Sequence, residues 1–261
     1  MPEAAHGPMT RRAGVRDRTG MIEVCDLVKR YGATTAVAGL SFTARPGRVT
    51  GFLGPNGAGK TTTLRVLLGL DRPTGGSATI GGMPFRRHRR GLRHAGALLD
   101  AQQAHPGRSA AVHLTALASS NGLARRRVDE VLGEVGLSDV AGRRVGTYSL
   151  GMKQRLGVAA AMLGDPPVLI FDEPVNGMDP EGVRWTRRLF RRLAGEGRTV
   201  FLSSHLIGEM AAIADEVVVI GQGRLLAAGS VTELAGVGGS LEDAFVELTS
   251  ASVDYRAGGT R

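Results

Sequence analysis

The sequence predicts an α/β domain: a largely parallel sheet with helices on both faces, an N-terminal antiparallel β portion and an inserted helical subdomain. Three observations carry this. Apolar stretches of strand length alternate with segments of helical period through most of the chain. A glycine-rich turn, Gly54 to Gly59, joins a buried-strand pattern directly to a helical one. Between about residues 101 and 164 the strand pattern stops and only helical spacing remains.

The chain has 261 residues, 42% of them hydrophobic, which suffices for one large domain with an insertion. Residues 1–20 are polar and Arg-rich without an apolar centre, which excludes a secretory signal and suggests a disordered lead-in. Two alternating stretches, near residues 21–26 and 34–42, are expected to be strands about the turn Arg30-Tyr31-Gly32. The first holds the only cysteine, Cys25, which excludes an internal disulfide and suits a cytoplasmic chain. Its thiol is expected to be buried and inert. Residues 48–53 form a buried-strand pattern, and after the glycine turn a helix is expected to carry Leu64, Val66, Leu67 and Leu70. Residues 76–80 and 95–99 continue the strands.

Within the helical block, residues 125–137 place Val128, Val131, Leu132 and Val135 on one face. A second helix runs from about Leu150 through the alanine-rich stretch to residue 163. Strand signals return at 168–171, 199–202 and 217–220, separated by helices centred near 182–194 and 206–213. Residues 236–240 suggest a linker ahead of a short helix over 241–248 and a frayed tail. The organisation expected is therefore a basic tail over 1–20, a domain over 21–235 with a helical subdomain at about 101–164, and a C-terminal portion over 236–261.

The net charge is +9, and its densest cluster is Arg86, Arg87, His88, Arg89, Arg90, Arg93 and His94. Such a balance suits nucleic acid, anionic headgroups or a nucleotide. No aromatic interleaves these arginines, as a single-strand-binding surface would require, so a solvated or headgroup-proximal face is the expectation. No run approaches the roughly 20 apolar residues that span a bilayer. Any pathway through lipid must come from another chain.

Gly54-Pro55-Asn56-Gly57-Ala58-Gly59-Lys60-Thr61 fits G-x-x-x-x-G-K-[ST], with Thr62 following. Glycines let the backbone wrap a polyphosphate with its N–H groups pointing inward, and the helix N-terminus adds positive potential. Lys60 is expected to meet the β- and γ-phosphates, and Thr61 to ligate Mg²⁺. A dinucleotide fold would need G-x-G-x-x-G, which Lys60-Thr61 interrupts. This is the phosphate loop of a P-loop NTPase. About 110 residues further on, an apolar strand ends in Asp172-Glu173-Pro174. An acid at that position holds Mg²⁺ directly or through a second shell, and Glu173 is placed to activate water.

With these residues in place the sequence resembles the ABC ATPase family over about residues 21–235. Tyr148-Ser149-Leu150-Gly151-Met152-Lys153-Gln154-Arg155 resembles the signature motif, with Ser149 and Gly151 kept but Leu150 and Met152 where Gly and Gln are usual. Asn176-Gly177-Met178-Asp179-Pro180 resembles the D-loop, Ser203-Ser204-His205 the switch histidine, and Tyr31 the aromatic on which adenine stacks. Asp100 stands where a Q-loop glutamine is common, with Gln102 and Gln103 just beyond. Asp100 could hold a metal-bound water, and which of the three serves as the Q-loop residue is open. The variant signature, residues 96–100 and residues 240–245 resemble the bacterial antibiotic and multidrug exporter subgroup.

The resemblance implies an ATPase using ATP and Mg²⁺, with Glu173 and His205 catalytic. It implies a homodimer that sandwiches two ATP molecules, Ser149, Gly151 and Asp179 completing the partner's site. It further implies a separate transmembrane permease, which holds the chain at the cytoplasmic face of the membrane, and no nucleic-acid partner. The alternative is a soluble ABC ATPase remodelling a ribosome or nucleic-acid complex. One cassette, with an insertion of about 60 residues, is short for that class. Lys60 is expected to be an exposed ligand, so Lys60→Ala should abolish nucleotide binding or hydrolysis in a folded chain. Nucleotide titration and turnover of the variant check this.

Overall fold

The strand pattern resolves into two sheets in the computed structural model, which describes residues 19–236 and 239–250. In chain order the elements are β1 (Ile22–Tyr31), β2 (Thr34–Ala44), β3 (Val49–Leu53), α1 (Lys60–Leu67), β4 (Gly75–Ile80) and β5 (Ala95–Leu98). Then come α2 (Ala110–Ser120), α3 (Arg126–Glu134), α4 (Leu150–Met162), β6 (Val168–Asp172) and α5 (Pro180–Gly195). The chain continues through β7 (Thr199–Ser204), α6 (Ile207–Ala211), β8 (Glu216–Gly221), β9 (Arg224–Ser230), α7 (Val231–Ala235) and α8 (Leu241–Thr249).

The smaller sheet is antiparallel, in the order β2-β1-β4. The larger has the order β5-β6-β7-β3-β8-β9 and is parallel except for the last pair. Its central strands are covered on both faces, which is why they read as unbroken apolar runs. Alternate residues serve different cores. Phe52, Ile170, Phe201 and Val218 face the antiparallel sheet, while Leu53, Phe171, Leu202 and Val219 face the helices. On the first side Phe42, Phe52 and Phe201 pack with ring centroids 5.3–5.5 Å apart. On the second, Phe171 stacks on Phe190 of α5 at 4.5 Å. Helices α2, α3 and α4 lie between β5 and β6 in the chain and bury Leu114, Val128, Val131, Leu132 and Leu156 against that same core.

Several expectations change. Cys25 is exposed. Alternation along β1 buries Ile22 and Val24 and so turns Cys25 outward, and a register shift between Val24 and Leu27, with Asp26 at φ 46°, adds a second outward residue before Leu27 is buried. Tyr31 ends β1, and the turn is Gly32-Ala33. Leu70 lies beyond α1 and is 59% exposed. Helix α6 has only five residues. Strand β9 was not anticipated: its segment is mostly half-exposed, so its composition lacks the buried-strand signature. Residues 1–18, 237–238 and 251–261, which include most of the expected tails, lie outside the described residues. Among the described residues no helix is long and apolar enough to cross a membrane.

The helical insertion meets the sheet through Gly96. A Cβ there would come within 1.7 Å of the Ala161 carbonyl oxygen in α4. Gly96→Ala is therefore expected to destabilise the chain by about 2–3 kcal/mol through overpacking, measurable as a lowered urea midpoint at unchanged slope.

Candidate functional site

Strand order decides which side chains meet. β6, β7 and β3 are neighbours, with Asp172 opposite Ser203 and Leu53 opposite Ser204. All three strands therefore stop on one edge of the sheet, and the loops leaving them share a hollow of about 270 Å³. Its lining includes Asn56, Gly57, Lys60, Thr61, Asp172 and Glu173. Pro55, Gly59 and Thr62 also line it.

The loop from Gly54 to Gly59 takes its shape from backbone approach. Gly59 has φ 101°, and a Cβ there would lie 2.5 Å from the Ala36 carbonyl oxygen. A Cβ on Gly54 would lie 2.6 Å from the Ile220 carbonyl oxygen. The Ala58 amide donates to Pro55 O at 3.2 Å. Helix α1 starts at Lys60 with no acid of its own in the first turn, and the carboxylate at its positive end, Asp172, comes from β6. Lys60 is only 7% exposed, contrary to the expectation that it is exposed. Its ammonium donates to Gly54 O at 2.6 Å and Pro55 O at 3.3 Å, at the centre of the loop. Burial holds its pKa below the ordinary lysine value, and Glu173 and Asp172 act in the opposite direction.

The Thr61 hydroxyl donates to Asp172 Oδ2 at 2.9 Å. Ser203 Oγ donates to Asp172 Oδ1. The Glu173 amide donates at 3.2 Å to Ser203 Oγ and to Ser203 O. Glu173 sits at φ 49°, a left-handed conformation uncommon for a non-glycine residue. Its Oε1 is 2.9 Å from His205 Nδ1, while its Oε2 is buried without a hydrogen-bond partner. Glu173 lines the phosphate-loop hollow, and a buried carboxylate oxygen without a partner there is an unspent acceptor.

A second hollow, of about 360 Å³, is lined by Ser149, Leu150, Gly151, Arg155, Met178 and Asp179, among others. Ser149 caps α4 by accepting from the Met152 amide at 3.2 Å, and Asp179 caps α5 by accepting from Gly182 at 2.7 Å. Gly151 faces open space, with nothing within 4 Å of a Cβ placed on it. Leu150, at the variant signature position, packs where a Cβ on Gly177 would be only 2.1 Å from its Cδ2. None of the residues lining this hollow lines the phosphate-loop hollow.

Two expected residues stand apart from both. Tyr31 is 47% exposed, and its hydroxyl donates to Asp71 Oδ2 at 2.7 Å. That bond raises the phenol's pKa, and bonds from Arg65 and then Tyr31 lower that of Asp71. Thr62 neighbours the Tyr31 hydroxyl and is the residue's link to the phosphate loop. Asp100 does not join Thr61 and Asp172. Its carboxylate accepts from the Gln102 amide at 2.8 Å, and it lines a separate hollow with Gln103, His113, Lys153 and Leu156.

Ser203 is the residue that sequence reasoning undervalued. It is fully buried and fixes both acids, but only the pairing of β6 with β7 reveals this. Ser203→Ala is expected to slow ATP turnover about 10- to 100-fold, the equivalent of one lost hydrogen bond to a charged group. Ser203→Thr, which keeps the hydroxyl, should restore most of it, and steady-state hydrolysis by both folded variants checks this.

A family-wide sequence comparison matches residues 37–176 to the group described as "ABC transporter". The bacitracin transport ATP-binding protein BcrA of Bacillus licheniformis is 43% identical over 209 residues, 79% of this chain and 68% of that protein. The lantibiotic transport ATP-binding protein SrtF of Streptococcus pyogenes is 34% identical over 206 residues, 79% and 89% of the two chains. A solved structure of an ATP-binding subunit of an ABC transporter superposes with a TM-score of 0.80 at 28% identity, over 88% of this chain and 99% of that one.

Proposed function

The chain belongs to the ABC transporter ATP-binding family and is an ATPase; from that premise we propose that it powers export of an antibiotic-like substrate through a separate membrane permease. Bacitracin and lantibiotics, named for two relatives, give the substrate class. Residues 21–235 are taken as the ATPase domain, with about 101–164 as its helical subdomain and the permease holding it at the cytoplasmic face of the membrane.

The observation that carries the ATPase reading is the hollow where Lys60, Thr61, Asp172 and Glu173 meet around a buried unpaired carboxylate oxygen. The γ-phosphate lies toward Lys60 and the α1 N-terminus, whose amides and ammonium stabilise charge as the terminal phosphoryl group departs. Thr61 and Asp172 offer two hard oxygen donors 2.9 Å apart, a fit for Mg²⁺, which takes few protein ligands and fills its shell with phosphates and water. When bound, the metal neutralises charge on the β- and γ-phosphates. Glu173 Oε2 orients the attacking water and accepts its proton. His205, bonded to Oε1, fixes that carboxylate and contacts the γ-phosphate.

Ser149, Gly151 and Asp179 belong to a different hollow from the phosphate loop, so they serve a nucleotide only when a second copy brings them to it. This supports a head-to-tail homodimer with two ATP molecules between the chains, closed by the γ-phosphate and released after hydrolysis.

The two adjacent acids are expected to fail differently. Asp172→Asn weakens Mg-ATP binding itself. Glu173→Gln keeps binding but slows turnover about 10²- to 10⁴-fold, and the closed dimer accumulates. Gel filtration of Glu173→Gln should show a dimer with Mg-ATP and none with ADP. Normal hydrolysis by that variant, or a monomer at saturating ATP, would overturn the assignment.

A further inference from the structure

The segment between β4 and β5 plays no part in the site described above, yet it holds the most concentrated charge in the chain. Residues 72–99 contain no Asp or Glu, and Arg86, Arg87, Arg89, Arg90 and Arg93 alone supply more than half of the net +9. All five are exposed. Among the described residues none of them enters a salt bridge, whereas eight other arginines are paired with acids.

The backbone beneath these side chains is pinned. Two tight turns close through Arg87 N to Pro84 O at 2.9 Å and Arg93 N to Arg90 O at 3.0 Å. His88 Nε2 bonds Ile80 O at 2.9 Å, and the His88 and His94 rings lie 4.3 Å apart. The Leu92 amide donates to Asn121 Oδ1 at 3.3 Å, and Arg93 donates to Gly122 O at 2.9 Å. Arg90 is held at φ 57°. Two exposed apolar residues flank the array: Met83, 45% exposed, and Leu70, 59% exposed. Leu70 is adjacent because a Cβ on Gly69 would be 3.3 Å from Arg86.

We propose that this fixed array is a docking surface for anionic lipid headgroups. Clusters of four to eight basic residues suit such a surface, since each unpaired guanidinium can chelate a headgroup phosphate. Met83, three residues before Arg86, and Leu70, next to Gly69 beside Arg86, are exposed apolar side chains near the array that can add shallow apolar contact. A protein partner would need a matching cluster of carboxylates to neutralise five arginines, whereas an anionic bilayer presents phosphates in any register. Single-stranded nucleic acid is less suited because the nearest aromatic, Phe85, is turned against Gly91 and offers no stacking platform. The inference rests on the reading that the chain works beside a membrane permease, but its test needs neither ATP nor the permease.

The experiment is flotation of the purified full chain with vesicles of phosphatidylcholine alone or with about one third phosphatidylglycerol. The wild type should float only with the anionic vesicles and come off as salt rises. At about five-fold per arginine, Arg86→Gln, Arg87→Gln, Arg89→Gln and Arg90→Gln together should weaken binding by at least 100-fold. Their ATPase rate should stay normal, which shows the variant folded. A charge-matched control, with Arg125, Arg126, Arg184 and Arg188 changed to Gln, should bind like the wild type. No flotation, equal flotation by the patch variant, or an equal loss in the control would overturn the proposal. So would tighter binding to an oligonucleotide, or to an acidic protein surface on the permease, than to anionic vesicles at the same salt. Failure of the chain to associate with a membrane permease would instead count against the reading it rests on, with the flotation result unaffected.

Discussion

Everything at the phosphate site hangs on one chain of hydrogen bonds, from Thr61 through Asp172 to Ser203 and on to the Glu173 amide. It spans the end of β6, the end of β7 and the helix that follows β3. Such a chain exists only if those strands end at the same level, and the register that levels them is set far from the site. Ile170 and Phe201 must face the antiparallel sheet while Phe171 and Leu202 face the helices. A slip of one residue would exchange the two faces of a strand, burying the wrong set in both cores. The packing of two hydrophobic layers thus fixes the position of a carboxylate that neither layer touches.

The same logic separates the two halves of the machinery. Ser149 and Asp179 each spend a side-chain oxygen on a helix N-terminus, α4 and α5 respectively. That use is ordinary capping, worth about 1 kcal/mol each, yet it also brings two helix ends to one hollow. Gln154 ties α4 to the loop before α5 by donating to Asn176 O at 3.2 Å. Arg187 in α5 in turn pairs with Glu209 in α6, next to the loop that carries His205. Side-chain bonds thus tie α4 to the loop before α5, and α5 to the helix that follows His205, whose ring contacts Glu173.

How much of this was legible in the sequence depends on the range of the interaction. The phosphate loop could be read in full because its requirements are local: glycines, one lysine, one hydroxyl and a following helix. The buried strands β3, β6, β7 and β8 were equally plain, since burial on both faces leaves an unbroken apolar run. The role of Ser203 was not, because it depends on β6 lying beside β7. Cys25 misled because its burial was inferred from residue type, whereas the strand alternation that buries Ile22 and Val24 puts it on the outer face. Lys60 misled for a related reason. A ligand lysine reads as exposed, whereas the loop wraps it so closely that its ammonium bonds the loop's own carbonyls.

That burial bears on what the site demands of its ligand. Within the phosphate-loop hollow the ionisable side chains are Lys60, Asp172 and Glu173, one cation against two carboxyl groups. Lys60 is already engaged by Gly54 O and Pro55 O, and desolvation disfavours its charge. The α1 N-terminus and the inward amides add only partial charges, about half a unit for a helix end. A polyphosphate entering this space therefore meets a side-chain balance that opposes it. Two acids beside a phosphate chain repel it at short range unless a cation stands between them. On the proposed function the Thr61–Asp172 pair would hold such a cation, and the site would favour a metal–nucleotide complex over the bare nucleotide. Glu173 is bonded to His205 through Oε1, and its Oε2 is left buried without a partner, the oxygen that the proposed function assigns to water.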